Sequence, residues 1–493
     1  MQLNRWNRMY WTPKSFPMSF LYFAILFLVG FHSAVFSESK TTISIQVTIS
    51  SPDYYSPWKT KQPAVVETLA HYLGNNQFLV LSDYLEFAVG IVSDSKLITD
   101  PESRFLIKKI DYDLGLGVIE LVGRNPTLEK DFKKLEFSKA LKIQKKYILK
   151  DMTDSETFLE KEIQGLQYAV DNYTRGEIDF PYIEFTTKEK IKSNGQLVFL
   201  ENKVSGIVYQ YTKQKLLGKL IPSFAIENFL KCQDDPCFAG RDFRARTILN
   251  PTLRAFYGLK QNKGGLIVYK IFGNSILKEG DILLEVDKYR LDTSGKIQLK
   301  EFGSVNYTFL FSNKLLKDLK PIQLKVLRNQ EELVLNWKPI AFPFQNIQIP
   351  HGPSRNKRPS YTILAGLVIT DLSESLLEEW GKNWRERADK KLLYYYDSYK
   401  YSKEKNKRFL VLTQILPTEE TKGYHGTSLQ LLESINGKPA NSQEQLKQEI
   451  ANLKEDGLLE IVLDSGAKLV FSRDTIEKAN QSILNKYSIS ATQ

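Results

Sequence analysis

Two stretches of the chain repeat one pattern, and they decide how its second half folds. The stretch Leu277-Lys-Glu-Gly-Asp-Ile-Leu-Leu-Glu-Val-Asp287 has its counterpart in Leu429-Gln-Leu-Leu-Glu-Ser-Ile-Asn-Gly437. In both, a short apolar strand stands beside a glycine-containing turn. Because the segments around the two stretches also recur in the same order, we predict two related domains.

Each copy has a short segment with a glycine turn, an apolar strand and a closing pair of strands. In the first copy these are Phe238-Ala-Gly-Arg241, Leu266–Ile271 and Ile322–Leu327 with Glu332–Trp337; in the second they are Leu364-Ala-Gly-Leu367, Phe409–Ile415 and Leu458–Leu463 with Lys468–Phe471. We therefore predict domains over 238–341 and 360–475, with a tail over 476–493. The proline-rich segment 342–359, with its Arg355-Asn-Lys-Arg358 cluster, is the predicted linker, and a charged, helical insertion is expected between Trp380 and Lys407.

Residues 41–231 consist of short β-rich runs separated by turn residues. Examples are Thr42–Ile49, Phe78–Leu81, Gly117–Leu121 and Val204–Tyr209. Alternating or briefly continuous apolar runs at this spacing favour a barrel or sandwich. The expected fold class is therefore mainly β throughout.

Composition excludes several functions. The 493 residues are enough for about three domains, and the net charge of +11 comes from lysines scattered among acids. A solvated surface and a polyanion-binding face both remain open as explanations of that charge. With four histidines, two cysteines and no phosphate-binding loop, we expect no metal, no other cofactor and no nucleic-acid partner.

The first 37 residues are typical of a targeting segment. Arg5, Arg8 and Lys14 precede an apolar run from Phe16 to Phe36. This pattern predicts a signal peptide cleaved near Ser37, or alternatively an uncleaved membrane anchor. Either way the protein is expected to be exported to the periplasm or cell envelope, possibly anchored in the inner membrane.

The two cysteines lie five residues apart in a polar loop. In an oxidising compartment, Cys232 and Cys237 can form a small disulfide. Two buried free thiols are the alternative.

Three segments resemble the HtrA/Deg family of PDZ-bearing, trypsin-like serine proteases, and especially its two-PDZ plant branch. They are Asn250-Pro-Thr-Leu-Arg254, Gly264-Gly-Leu-Ile-Val268 and Pro359-Ser-Tyr-Thr-Ile-Leu-Ala-Gly366. The resemblance implies a trypsin-like double β-barrel over 41–231, followed by two PDZ-like domains of α+β type. It also implies assembly into a homo-oligomer. The likeness is clear in the PDZ half and only general in the protease half.

The catalytic segments of the family are degenerate here. The family supplies its histidine, aspartate and serine in Leu-Thr-Asn-Ala-His, Asp-Leu-Ala and Gly-Asn-Ser-Gly-Gly-Pro segments, and the matching positions are Tyr84, Asp113 and Asn194. A phenol with a pKa near ~10 cannot replace imidazole as a base at neutral pH. The resemblance therefore implies an inactive protease, or pseudoprotease. An active endopeptidase that uses His71, Asp113 and Ser193 is the alternative.

PDZ domains bind an extended peptide as an added strand, and the amides of a glycine-containing loop take its carboxylate. The candidate peptide-binding residues are Phe238, Ala239, Gly240 and Arg241 in the first copy, and Leu364, Ala365, Gly366 and Leu367 in the second. Arg241 either adds a charge partner for the carboxylate or spoils the apolar pocket. Expected partners are peptides and unfolded or C-terminal segments of client proteins. Alternatively, the protein's own linker or a neighbouring subunit fills each groove.

Overall fold

The computed structural model describes residues 40–487 and 489, except 96–97, 99, 101, 124–127, 140–142, 144, 153–156, 262 and 313. The expected signal or anchor segment, residues 1–37, lies outside these residues. Within the described part of the chain, no helix is long and apolar enough to cross a membrane.

The first six strands form one sheet in the order β4-β1-β2-β3-β6-β5. Along β1, the side chains of Ile43, Ile45 and Val47 alternate with more polar residues and are fully buried, as expected for a strand with one face on the core. The elements are β1 (Thr42–Ile49), β2 (Ala64–Gly74), β3 (Gln77–Leu81), β4 (Ala88–Val92), β5 (Arg104–Asp111), β6 (Leu116–Val122) and a short helix, α1 (Leu128–Asp131).

The next six strands close into a barrel in the cyclic order β10-β11-β12-β9-β8-β7. Closure leaves no sheet edge with unpaired backbone groups. The strands are β7 (Lys146–Met152), β8 (Phe158–Asp171), β9 (Phe180–Thr187), β10 (Leu197–Leu200), β11 (Lys203–Thr212) and β12 (Leu217–Pro222). Helix α2 (Ser223–Lys231) follows and packs on β11 and β12. Two successive six-stranded β units agree with the predicted double-barrel class.

A third sheet follows in the order β13-β14-β15-β19-β20, with β16 paired to β15 and a separate hairpin of β17 and β18. Its elements are β13 (Phe243–Thr247), α3 (Pro251–Phe256), β14 (Leu266–Ile271), β15 (Ile282–Val286), β16 (Tyr289–Arg290), β17 (Lys296–Leu299), β18 (Gly303–Asn306), α4 (Phe309–Ser312), β19 (Ile322–Arg328) and β20 (Glu331–Trp337). One hydrophobic core runs from the second barrel into this domain, with the rings of Tyr168 and Phe302 5.0 Å apart.

The fourth sheet has the order β21-β22-β23-β24-β26-β27, with β25 paired to β24. Its elements are β21 (Tyr361–Leu364), β22 (Leu367–Asp371), α5 (Glu374–Glu378), α6 (Trp384–Arg387), α7 (Lys390–Ser398), β23 (Leu410–Ile415), β24 (Gln430–Ile435), β25 (Lys438–Pro439), α8 (Gln443–Ala451), β26 (Leu458–Leu463), β27 (Lys468–Ser472) and α9 (Arg473–Tyr487).

The third and fourth sheets share one topology. The order β22-β23-β24-β26-β27 repeats β13-β14-β15-β19-β20 strand for strand, and each third strand carries a two-residue partner. Strand β21 is an addition at the edge of the second copy. Helix α9 occupies most of the segment expected as a tail (476–493), and it buries Ile476, Ala479 and Ile483.

Candidate functional site

Asp113 occupies the turn after β5 and is almost completely buried. Its Oδ1 accepts a hydrogen bond from the amide of Glu177 at 2.7 Å, and its Oδ2 lies 2.6 Å from a guanidinium nitrogen of Arg355. A side chain at Gly176 would collide with this carboxylate, since an added Cβ would lie 2.1 Å from Oδ1. The expected triad aspartate is therefore paired with an arginine of the linker, and within the described residues it has no imidazole partner.

The linker residues that accompany Arg355 form a segment, 350–358, that we call the strap. Ser354 Oγ and the Arg355 amide both donate to Glu86 Oε1, at 2.5 and 3.1 Å. The side-chain oxygen of Asn356 accepts from the Phe87 amide at 2.6 Å. The strap thus binds the loop that follows Tyr84 as well as the Asp113 turn.

The strap also runs tightly against the β8–β9 loop. Gly352 has a positive φ of 70°, and a Cβ there would lie 2.3 Å from the carbonyl oxygen of Arg175. Only glycine fits this approach. The strap therefore covers the surface formed by three loops that carry Tyr84, Asp113 and Glu177.

His71 is buried in β2 and uses both ring nitrogens. Nε2 lies 2.7 Å from the carbonyl oxygen of Gly195, and Nδ1 lies 2.8 Å from Thr42 Oγ1. Because a carbonyl can only accept, Nε2 carries the proton and Nδ1 accepts from the threonine hydroxyl. Burial lowers the pKa of His71 to about 4. Among the described contacts, no hydrogen bond links this imidazole to Asp113 or Ser193.

Tyr84 ends a 3₁₀ turn, Ser82–Tyr84, directly after β3. Burial and the nearby charge of Asp83 raise the pKa of its phenol above the ordinary value. This moves Tyr84 further from the range in which a general base works at neutral pH.

The segment at the expected serine position is tied to its surroundings. Ser193 Oγ accepts a hydrogen bond from Gln196 Nε2 at 3.1 Å. The Lys192 amide, two residues before Asn194, donates to both oxygens of Asp151 at 3.1 and 3.2 Å. In trypsin-like enzymes the amide two residues before the nucleophile helps to bind the oxyanion. Here the amide at that position, that of Lys192, is hydrogen-bonded to the carboxylate of Asp151.

A buried glutamate joins four parts of the chain, and sequence reasoning missed it. Glu177 forms an ion pair with His351 of the strap at 2.6 Å and a very short contact with Arg244 of β13. The Tyr401 hydroxyl donates to its Oε2 at 3.1 Å. Burial opposes ionisation, but the hydrogen bond from His351 and the charge of Arg244 prevail and lower the pKa of Glu177. Nothing local in the sequence signals this cluster, because its members come from distant segments.

The first candidate peptide loop is closed by the protein itself. The Gly240 amide donates to the carbonyl of Ile340 at 2.7 Å, so the segment after β20 pairs with the loop in antiparallel fashion. Arg241 forms an ion pair with Asp179 at 2.6 Å and donates to the Tyr307 hydroxyl at 3.0 Å. Phe238, Ala239 and Gly240 are buried. Arg241 is thus already paired with Asp179, in the β8–β9 loop of the second barrel.

The second candidate loop is a two-residue turn between β21 and β22. Leu364 pairs with Leu367, and both Ala365 and Gly366 have positive φ. The Ala365 amide donates to Asn480 Oδ1 of α9 at 2.8 Å. Strand β21 itself lies along β22 and contacts α8 through a 2.8 Å hydrogen bond from Thr362 to Gln443. The chain therefore fills the position in which PDZ domains add a peptide strand.

Cys232 and Cys237 form a disulfide whose Cα atoms are 5.8 Å apart. It closes the loop between α2 and the first candidate peptide loop. In the described parts of the chain, no group of three or more histidine, cysteine, aspartate or glutamate residues is arranged to hold a metal ion.

Comparison with known proteins identifies the class. The sequence profile of the PDZ domain matches residues 350–493. Protease Do-like 2, chloroplastic, of Arabidopsis thaliana is 23% identical over 492 residues, which cover 93% of this chain and 75% of that protein. A serine protease DegP homolog of Plasmodium falciparum (isolate 3D7) is 28% identical over 166 residues, covering 34% of this chain and 18% of that protein.

Among solved structures, the HtrA-type protease AlgW with decapeptide covers 61% of this chain and 95% of its own, with 12% identity and a TM-score of 0.43. The profile match and the long alignment with Protease Do-like 2 both point to the same class, that of proteases with a PDZ domain. The chain is therefore similar to HtrA/Deg-type proteases and carries a PDZ domain match over residues 350–493.

Proposed function

We propose that this HtrA/Deg-like chain is a non-catalytic protein that holds peptides or client proteins outside the cytoplasm. The observation that carries the proposal is the pairing of Asp113 with Arg355 at 2.6 Å. A working triad needs that carboxylate to orient an imidazole, which in turn takes the proton of the nucleophile.

The size of the expected loss in catalytic rate supports the same proposal. Removing triad members from a serine protease lowers its rate by about 10⁴ to 10⁶. Here the histidine and serine positions carry Tyr84 and Asn194, and the Lys192 amide is bound to Asp151. The alternative set is no better arranged, because His71 donates to Gly195 and Asp113 pairs with the strap.

Peptide holding is proposed because the PDZ domain matched over 350–493 belongs to a class that binds peptides by strand addition. Binding at either groove requires the resident segment, 340–342 or β21, to move aside. Export is proposed from the pattern of the first 37 residues and from the disulfide between Cys232 and Cys237. Homo-oligomers and membrane attachment through residues 1–37 remain predictions, which light scattering and cell fractionation test.

The test combines a reactive probe with a client assay on the full chain. We expect a fluorophosphonate probe to leave the protein unlabelled, labelled casein to stay intact, and aggregation of an unfolded client protein to be suppressed. Ser193→Ala and His71→Ala serve as controls, since neither should change these results. Probe labelling or casein cleavage that disappears in Ser193→Ala would overturn the proposal in favour of an active endopeptidase.

A further inference from the structure

One short segment of the first PDZ-like domain, residues 249–256, exposes several large apolar side chains, and we call it the knob. It comprises helix α3 and the two residues before it. Among the described residues, the two most exposed large apolar side chains are both in the knob: Leu249 is 71% exposed and Phe256 is 73% exposed. Leu253, between them, is 37% exposed. Single exposed apolar residues are normal, but a group of them marks an interaction surface.

The surface of the knob is also free of charge. From Thr247 to Leu259 the only charged residue is Arg254, although 25% of the residues of the whole chain are charged. Arg254 is buried and only 6% exposed. The knob therefore presents an uncharged, largely apolar surface to solvent.

Arg254 and Asn250 hold the knob in one conformation. The Arg254 guanidinium donates to the carbonyl of Ile248 at 2.9 Å and to that of Lys260 at 2.7 Å, so it connects the two ends of the segment. Asn250 caps α3, because its Oδ1 accepts a hydrogen bond from the Leu253 amide at 3.0 Å. A surface that is fixed before binding loses little conformational entropy when it binds.

Cations lie at both ends of this uncharged run. Arg246 precedes it and Lys260 follows it; both are exposed, and neither forms an ion pair within the described parts of the chain. The Arg246 guanidinium lies 5.3 Å from the ring centroid of Tyr269, which is 46% exposed. The knob is thus an apolar tip with a cationic and aromatic border.

A lipid bilayer with anionic headgroups matches both parts of this surface. In membrane-surface proteins, Phe and Leu side chains enter the boundary between headgroups and acyl chains, while Lys and Arg bind the headgroups. Tyrosine is enriched at the same depth. Each Lys or Arg near an anionic membrane strengthens binding about fivefold. A protein partner would need an apolar pocket with acids around it, whereas a bilayer offers this combination everywhere on its surface.

We propose that the knob inserts into the surface of a bilayer that contains anionic lipids. Leu249 and Phe256 enter the acyl boundary, and Arg246 and Lys260 bind headgroup phosphates. This contact is separate from the attachment expected through residues 1–37, and it does not depend on the peptide-holding function proposed above.

A fluorescent reporter in the knob tests the contact in the full chain. Thr252 is exposed, and Thr252→Cys introduces the only free thiol, because Cys232 and Cys237 are joined in a disulfide. We label it with an environment-sensitive nitrobenzoxadiazole group and add vesicles of equal parts phosphatidylcholine and phosphatidylglycerol. We expect a blue shift of the emission and quenching by brominated acyl chains, and neither effect for the same label at Gln214→Cys in the β11–β12 turn. Because the label reports its own surroundings, attachment through residues 1–37 does not imitate this result.

Variants in the reporter background measure each part of the surface. In Leu249→Ser/Phe256→Ser the ratio of inserted to free reporter should fall at least about tenfold, because two large apolar side chains no longer leave water. Arg246→Gln/Lys260→Gln should also lower the ratio at least about tenfold, but only on anionic vesicles. High salt should have the same effect on the unsubstituted surface.

The matched control removes exposed apolar side chains from the first sheet. Val65 and Val89 are 63% and 68% exposed, and Val65→Ser/Val89→Ser should leave the reporter ratio unchanged. Thermal unfolding checks that each variant folds.

Three results would overturn the proposal. The first is a reporter that does not shift on vesicles, and the second is a shift that Leu249→Ser/Phe256→Ser leaves intact. The third is a shift without vesicles that grows with protein concentration, since the knob would then contact a second copy of the chain. Equal insertion into pure phosphatidylcholine would refute the role of Arg246 and Lys260 and, with it, the preference for anionic lipids.

Discussion

Replacing Arg355 with methionine tests whether the strap is held by its ion pair with Asp113. The Asp113 side chain is 4% exposed and that of Arg355 is 25% exposed. Breaking a buried ion pair by removing one partner typically costs about 3–5 kcal/mol. Because Asp113 keeps its hydrogen bond from the Glu177 amide and Arg355 is partly solvated, we expect about 3 kcal/mol.

Hydrogen exchange at the strap amides, 350–358, measures this free energy as local opening. Asp113→Asn should cost less, about 1 kcal/mol, since the freed arginine can turn towards water. In a double-mutant cycle the two changes should couple by at least about 1 kcal/mol. Additive effects within about 0.5 kcal/mol, or unchanged exchange at the strap in Arg355→Met, would refute the reasoning.

Three further predictions concern buried groups. In the unfolded chain His71 takes up a proton as the pH falls below its ordinary pKa of 6.5, whereas in the folded protein it does so only near pH 4. The free energy of unfolding should therefore decrease by about 3 kcal/mol as the pH falls from 6.5 to 4. Acid titration of His71→Gln should lack this decrease. Because the pKa of Glu177 is lowered in the folded protein, the stability that Glu177 contributes is present above its ordinary pKa of 4.5 and is lost as the pH falls below that value. At neutral pH, Glu177→Gln should lower the free energy of unfolding in urea by about 3–5 kcal/mol, because Arg244 loses its counter-charge. Replacing Cys232 and Cys237 with serine should cost about 2 kcal/mol in thermal unfolding, the value for so short a closed loop, and an unchanged midpoint would contradict a stabilising bridge.

The repeated strand order of the second half could be predicted from the sequence, because each copy carries its own apolar strands and glycine turns. The stretch Leu277–Asp287 and its counterpart Leu429–Gly437 both contain the third strand of the order that the two copies share, β15 and β24. Local patterns of this kind report local structure well.

The strap could not be predicted in the same way. Arg355 and Asp113 are 242 residues apart, and the composition of 342–359 indicates only a linker. The hydrogen bond between the second glycine turn and Asn480 could likewise not be predicted, because Asn480 lies in a segment expected as a tail. Contacts between distant segments depend on how whole domains dock, which no local pattern encodes.

Strand β21 competes with any outside peptide for the groove of the second PDZ-like domain. Since β21 is joined to β22 by only two residues, it re-enters its position as an intramolecular event, with an effective concentration of about millimolar or higher. An outside peptide gains the same backbone hydrogen bonds that β21 gives up, so only its side chains can add affinity. Occupancy of that groove would therefore rise only when ligand is abundant or is presented in several linked copies.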